Sequence, residues 1–82
     1  MAIKRRYVSY DIREGNDYKK LYAFIKKHHG GKITESLYLF ESELDLDTFV
    51  ALLRAAVDGD DTVYVIYRTG TSIGHRKVVD GS

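Results

Sequence analysis

One carboxylate stands out by its setting. Asp11 closes the extended run Arg6-Tyr7-Val8-Ser9-Tyr10-Asp11-Ile12. A strand that carries an acid to the rim of a sheet can deliver a metal ligand or a general base there. Hard cations such as Mg²⁺ or Mn²⁺ take carboxylate oxygens and complete their shell with water and phosphate. Asp11 is therefore the candidate metal ligand and the candidate catalytic residue of the chain. A single Asp is a poor site, but a two-fold dimer brings two together. Their repulsion raises one pKa unless a cation or a basic side chain lies between them. The structural alternative is a solvated strand-end acid paired with Arg13 or Lys4.

The other chemistry-bearing residues say less. His28 and His29 sit where a helix is expected to end, and adjacent helical residues point about 100° apart, so they read as partners of the helix dipole. His75 stands in a basic tail without a nearby acid, and Ser9 and Ser36 have no His at triad spacing. No GxxxxGK or GxGxxG pattern is present, and the absence of cysteine excludes disulfides and thiolate metal sites. Basic residues form the remaining candidate set. Lys4, Arg5, Arg6, Arg13, Lys19 and Lys20 are the candidate nucleic-acid contacts, with Lys26, Lys27 and Lys32 extending the same charge. A solvated helix face explains the lysines equally well.

These residues must be positioned by a small frame. Eighty-two residues make one domain with a thin core, a type often completed by dimerisation. Residues 4–12 read as a first strand, followed by a turn at Glu14-Gly15-Asn16 with Asn16 as N-cap. Tyr18, Leu21, Tyr22 and Ile25 then mark one face of a helix that ends at His28-His29-Gly30-Gly31, with glycine supplying the left-handed cap. Lys32–Ser42 is strand material with a bend near Glu35-Ser36. Leu44, Asp45 and Phe49 suit a staple and N-cap. Phe49, Leu52, Leu53, Ala56 and Val57 form the inner face of a second helix, while Val50, Ala51 and Ala55 make its outer face apolar. Thr62–Arg68 is a β-branched and aromatic strand.

The order implies an α+β ferredoxin-like βαββαβ sandwich, an antiparallel sheet with two helices on one face. Residues 1–68 are the expected domain, and 69–82 a polar C-terminal tail with a short edge strand near His75-Val79. The open face, bearing tyrosines, is expected to meet a partner. Charge is uneven: residues 1–34 carry a net +6, residues 35–67 a net −7 and residues 68–82 a net +2. That polarity fits a basic binding face, or segments that neutralise each other across the fold. With no apolar run near the roughly 18 residues of a bilayer span and no signal-peptide pattern, a cytoplasmic protein is expected. The RNA-recognition motif shares this fold and size, but its aromatic Lys/Arg-Gly-Phe/Tyr-Gly/Ala-Phe-Val core is missing.

Val8-Ser9-Tyr10-Asp11-Ile12, Glu35-Ser36-Leu37-Tyr38 and Asp61-Thr62-Val63-Tyr64-Val65, with a helix in each gap, resemble the CRISPR-associated "Cas-two" family and its superfamily relatives, virulence-associated protein D and the SinR-like proteins. The resemblance covers about residues 5–68. It implies a ferredoxin-like homodimer with sheets packed face to face, and Asp11 at the position where nuclease members hold Mg²⁺ or Mn²⁺ between subunits. CRISPR-branch members bind nucleic acid, some as metal-dependent endonucleases and others structurally, and toxin-like relatives are ribonucleases. Leu39-Phe40 stands where Glu-Gly is usual, which fits the SinR-like branch better, and the tail after Arg68 is short and polar. Two functions follow from the resemblance: a nucleic-acid-binding or scaffolding dimer, or an endonuclease of RNA or double-stranded DNA that uses paired Asp11 carboxylates.

Overall fold

Side-chain alternation along the first strand sets the layering. In the computed structural model, which describes residues 3–81, β1 spans Lys4–Asp11, and Arg6, Val8 and Tyr10 are buried while Lys4, Arg5 and Asp11 are exposed. The remaining elements are α1 (Lys19–Lys27), β2 (Gly31–Thr34), β3 (Leu37–Ser42), α2 (Leu46–Arg54), β4 (Thr62–Thr69) and β5 (Ser72–Asp80). The five strands form one antiparallel sheet in the order β2-β3-β1-β4-β5. Val8 lies between Tyr38 and Val65, and Tyr10 beside Val63. With Phe40 and Val78 these residues floor a single core. Both helices press on that floor, through Leu21, Phe24 and Ile25 of α1 and Phe49, Val50 and Leu53 of α2. Phe24, Phe40 and Phe49 meet pairwise at 5.5–5.7 Å between ring centroids, mostly edge to face, so the helices share one aromatic centre.

Several local expectations change. Asn16 does not cap α1; the Lys19 N–H is received by Asp17 Oδ1 at 2.8 Å, and the Asn16 amide is drawn across the fold to two aspartates. The left-handed residue after α1 is His29, with φ of 57°, and not a glycine. His29 N–H bonds Lys26 O and Gly30 N–H bonds Ile25 O, a Schellman closure with histidine at the left-handed position. Glycine is needed one residue later: a Cβ on Gly30 would stand 2.8 Å from the Phe40 ring. On α2, Val50 is buried and Leu52 is 43% exposed, the reverse of the expected faces. The bend at Glu35-Ser36 is a hairpin turn joining β2 to β3.

The C-terminal segment is more ordered than its composition suggests. β5 runs nine residues, pairs with β4 from Thr62↔Asp80 to Thr69↔Ser72, and places Val78 in the core. Gly70, with φ of +61°, makes the turn between them. Arg54 Nε and Nη2 both donate to Val78 O, which ties α2 to this strand. No helix among the described residues is long and apolar enough to cross a membrane.

Candidate metal and nucleic-acid site

Asp11 stands at the end of β1, opposite Thr62 of β4, on the face away from the helices. It shares a shallow cavity of about 170 Å³ with Arg13, Asp60, Thr62 and Gly81. Its carboxylate has no hydrogen-bond or ion-pair partner among the described residues. The expected alternatives do not hold: Arg13 Nε lies 3.8 Å from Asp60 Oδ2, and Lys4 is at the opposite end of β1, seven residues or roughly 23 Å away.

The loops beside Asp11 are held by Asp61, which in the sequence is visible only as part of a longer motif. Asp61 is 1% exposed. Its Oδ1 receives the Arg13 N–H at 2.9 Å and the Asn16 amide at 2.7 Å, and its Oδ2 receives the Asp58 N–H at 2.9 Å. Burial pushes this carboxyl up, but the Asn16 side chain and the Arg13 and Asp58 N–H groups outweigh it and hold it below the ordinary carboxylate range. Asp61 therefore clasps the β1–α1 loop to the turn before β4, and so fixes where Arg13 and Asp60 sit around Asp11. Asp60 is itself engaged by Asn16 at 2.8 Å and by Arg13.

The chain thus offers a hard cation a single uncommitted carboxylate here among the described residues. No group of three or more His, Cys, Asp or Glu residues is gathered among the described residues. A lone carboxylate supplies a hard cation such as Mg²⁺ or Mn²⁺ with one oxygen ligand, and the described residues gather no ligand cluster around Asp11.

The candidate nucleic-acid contacts do not form one patch. Lys4 and Arg5 are exposed at the start of β1, and Arg5 Nε is 3.4 Å from Glu41 Oε2. Arg13, Lys19 and Lys20 are exposed around the loop that follows Asp11 and the first turn of α1. Arg6 belongs to neither group. It is 2% exposed on the helix side of the sheet, with its guanidinium 5.3 Å from the centre of the Phe49 ring, so it leaves the set of surface contacts. His28 lies against Phe24 at 4.5 Å, and burial, then Lys27 and His29, push its imidazole pKa down, which weakens the dipole-partner reading.

Among the described residues, no layer covers the far side of the sheet. Tyr7, Leu37, Leu39, Tyr64 and Ile66 are half-buried there by their own neighbours, and Ile73 is 79% exposed. A groove of about 380 Å³ runs between Tyr7, Ile66 and Ile73. Comparison with known proteins finds no family model, no curated protein and no solved structure that matches this chain.

Proposed function

We propose that this protein is a small homodimeric, nucleic-acid-associated protein of ferredoxin-like architecture, similar to the Cas-two-like superfamily, that acts as a binding or scaffolding dimer. The observation that carries the reading is the open sheet face, whose Tyr7, Leu37, Leu39, Tyr64 and Ile66 have no layer over them within the described residues. A contiguous apolar patch of this kind marks an interaction surface. The ferredoxin-like part is supported by the β-α-β-β-α-β order of the first six elements and by the strand order β2-β3-β1-β4, with β5 added outside β4. Nucleic acid enters through the cations at both ends of β1, all of them solvent-facing once Arg6 is removed.

Sedimentation equilibrium at micromolar concentration should report twice the 9.4 kDa chain mass. Leu39→Glu, which places a charge at the centre of the open face, should return the monomer. A wild-type monomer at high concentration overturns the dimer. Binding to nucleic acid should weaken steeply with salt, each phosphate contact adding roughly 0.7–0.9 to the log–log slope. No binding at about 50 mM salt overturns the nucleic-acid half of the reading.

The uncommitted Asp11 carboxylate favours a second reading, a divalent-metal-dependent endonuclease of RNA or double-stranded DNA. A bound cation would polarise the phosphate and activate water. In that case Asp11 is a metal ligand, and cleavage must vanish in Asp11→Asn.

A further inference from the structure

A buried positive charge with an unmet donor lies at the other end of the molecule from Asp11. Arg6 is 2% exposed, and its Nη1 has no hydrogen-bond partner among the described residues. Burial pulls its pKa down, and Asp45 at the head of α2 opposes that electrostatically, but no hydrogen bond joins the two. The Phe49 ring offers a π-face and no acceptor. A guanidinium carries its donors in a fixed fork, and leaving even the Nη1 donor unmet in the interior is costly.

Arg6 also lines a cavity of about 490 Å³ where β1 begins and β4 ends. Lys4, Arg5 and Arg68 line it too, Leu46 and Tyr67 give it apolar walls, and none of its described lining residues is acidic. Arg5 leans toward Glu41 and Arg68 Nε donates to Gly70 O at 2.9 Å, so each is partly engaged. The Tyr67 wall is set by a close approach: a Cβ on Gly74 would stand 2.8 Å from Tyr67 Cζ, so the ring packs against bare backbone.

We propose that this cavity binds a phosphate monoester, with Arg6 as its buried anchor and Lys4 and Arg68 at its rim. The charge of the lining matches a dianion. The guanidinium fork pairs with phosphate oxygens in a bidentate way, which a point charge does not. The volume falls within the roughly 300–1,000 Å³ of small-molecule sites, enough for a group beyond the phosphate to lie along Leu46 and Tyr67. A nucleoside monophosphate and the 5′-phosphate of a nucleic-acid end share this chemistry. Only the second rests on the nucleic-acid reading above.

The test is calorimetric titration and thermal unfolding of the full chain with inorganic phosphate, with adenosine monophosphate, and with a short oligonucleotide bearing either a 5′-phosphate or a 5′-hydroxyl. Adenosine monophosphate should bind saturably and raise the unfolding midpoint. Arg6→Met should abolish that binding while raising the midpoint of the ligand-free protein, because a buried unpaired charge gives way to an apolar chain of similar length. Arg68→Ala, at the exposed rim, should weaken binding roughly tenfold without unfolding the protein and stands in if Arg6→Met does not fold. Lys27→Ala should bind as wild type. The proposal is overturned if neither inorganic phosphate nor adenosine monophosphate binds, or if both Arg variants bind as tightly as wild type. Oligonucleotides that bind equally with either 5′ end, without mononucleotide binding, overturn the cavity and leave the nucleic-acid reading standing. Arg6-dependent mononucleotide binding without oligonucleotide binding does the reverse.

Discussion

Asp61→Asn tests whether one buried carboxylate holds the candidate metal site in shape. The amide is nearly isosteric, so the substitution changes charge and donor pattern more than volume. Its better rotamer leaves the carbonyl oxygen at the Oδ1 position, where it still receives the Arg13 N–H and the Asn16 amide. The new NH₂ then faces the Asp58 N–H, and that bond, 2.9 Å in the wild type, is lost. A hydrogen bond to a charged group contributes about 1.5–3 kcal/mol and a neutral one about 0.5–1.5. One bond lost and two reduced to neutral strength, offset by not burying a charge, come to about 2–4 kcal/mol. A domain of this size has only about 4–12 kcal/mol in all, so the effect is large.

Acid should separate this mechanism from a packing defect. The folded-state pKa of Asp61 is held below its unfolded value of about 3.9. Its stabilisation is therefore fully present above that value and is lost as pH falls through the lower folded pKa. The amide side chain of the variant does not titrate. Urea unfolding of both proteins from neutral pH into the acid range should show the gap constant near neutrality and closing below about pH 4. A gap under about 0.5 kcal/mol at pH 7, or one that stays constant in acid, would mean the three contacts do not act as a charged clasp.

The other predictions concern single groups. Asp11→Asn should leave the urea midpoint nearly unchanged, since the carboxylate has no partner among the described residues, and, on the endonuclease reading, should remove any Mg²⁺ or Mn²⁺ response in metal titration and in nuclease assays on RNA and double-stranded DNA. His29→Gly should stabilise the protein by about 0.5–1 kcal/mol in urea unfolding, because glycine occupies the left-handed position after α1 without steric cost. Tyr10→Phe should cost about 0.5–1.5 kcal/mol through the lost 2.8 Å bond from its hydroxyl to Glu35 O. Burial, then the surrounding tyrosines, raise the Tyr10 pKa, so the wild type should lose stability as pH climbs past about 10, and the phenylalanine variant should lose less.

The parts of the fold that were legible in the sequence are those where local pattern and burial agree. Tyr10 and Val8 alternate with Ser9, so β1 announces itself, and Leu21 and Ile25 lie on the expected inner face of α1; Tyr18 and Tyr22, expected beside them, are exposed, and Phe24 is buried instead. The errors lie where long-range contacts overrule local preference. Asn16 is a good N-cap in isolation, but the buried Asp61 charge, distant in sequence, takes its amide. Val50 and Leu52 exchange faces because a window of nine helical residues fixes the buried stripe only to within about one residue step of 100°. β5 looks like a tail because most of its residues are polar or small; pairing with β4 along its whole length and burial of Val78 make it a strand. Asp61 stood in the sequence only as the first residue of a longer motif, and its role as a clasp was not legible there, since it is defined by donors from Arg13, Asn16 and Asp58 that no spacing rule connects.

Arg6 is the instructive case for function. Three consecutive cations at the start of β1 read as one basic patch, but strand periodicity sends Arg6 to the helix side and Arg5 to the open face. The same periodicity puts Arg6 and Asp11 on opposite faces as well as near opposite ends of one strand. They cannot act on one reacting group, because the sheet itself lies between them. A nucleic-acid or metal function at Asp11 and an anion site at Arg6 are therefore separable properties, and a variant at one should leave the other's ligand response intact. If Asp11→Asn altered phosphate binding at the Arg6 cavity, the two ends would have to communicate through β1 or through the second subunit. A rigid sheet gives no reason to expect the first, so such coupling would itself be evidence for the dimer.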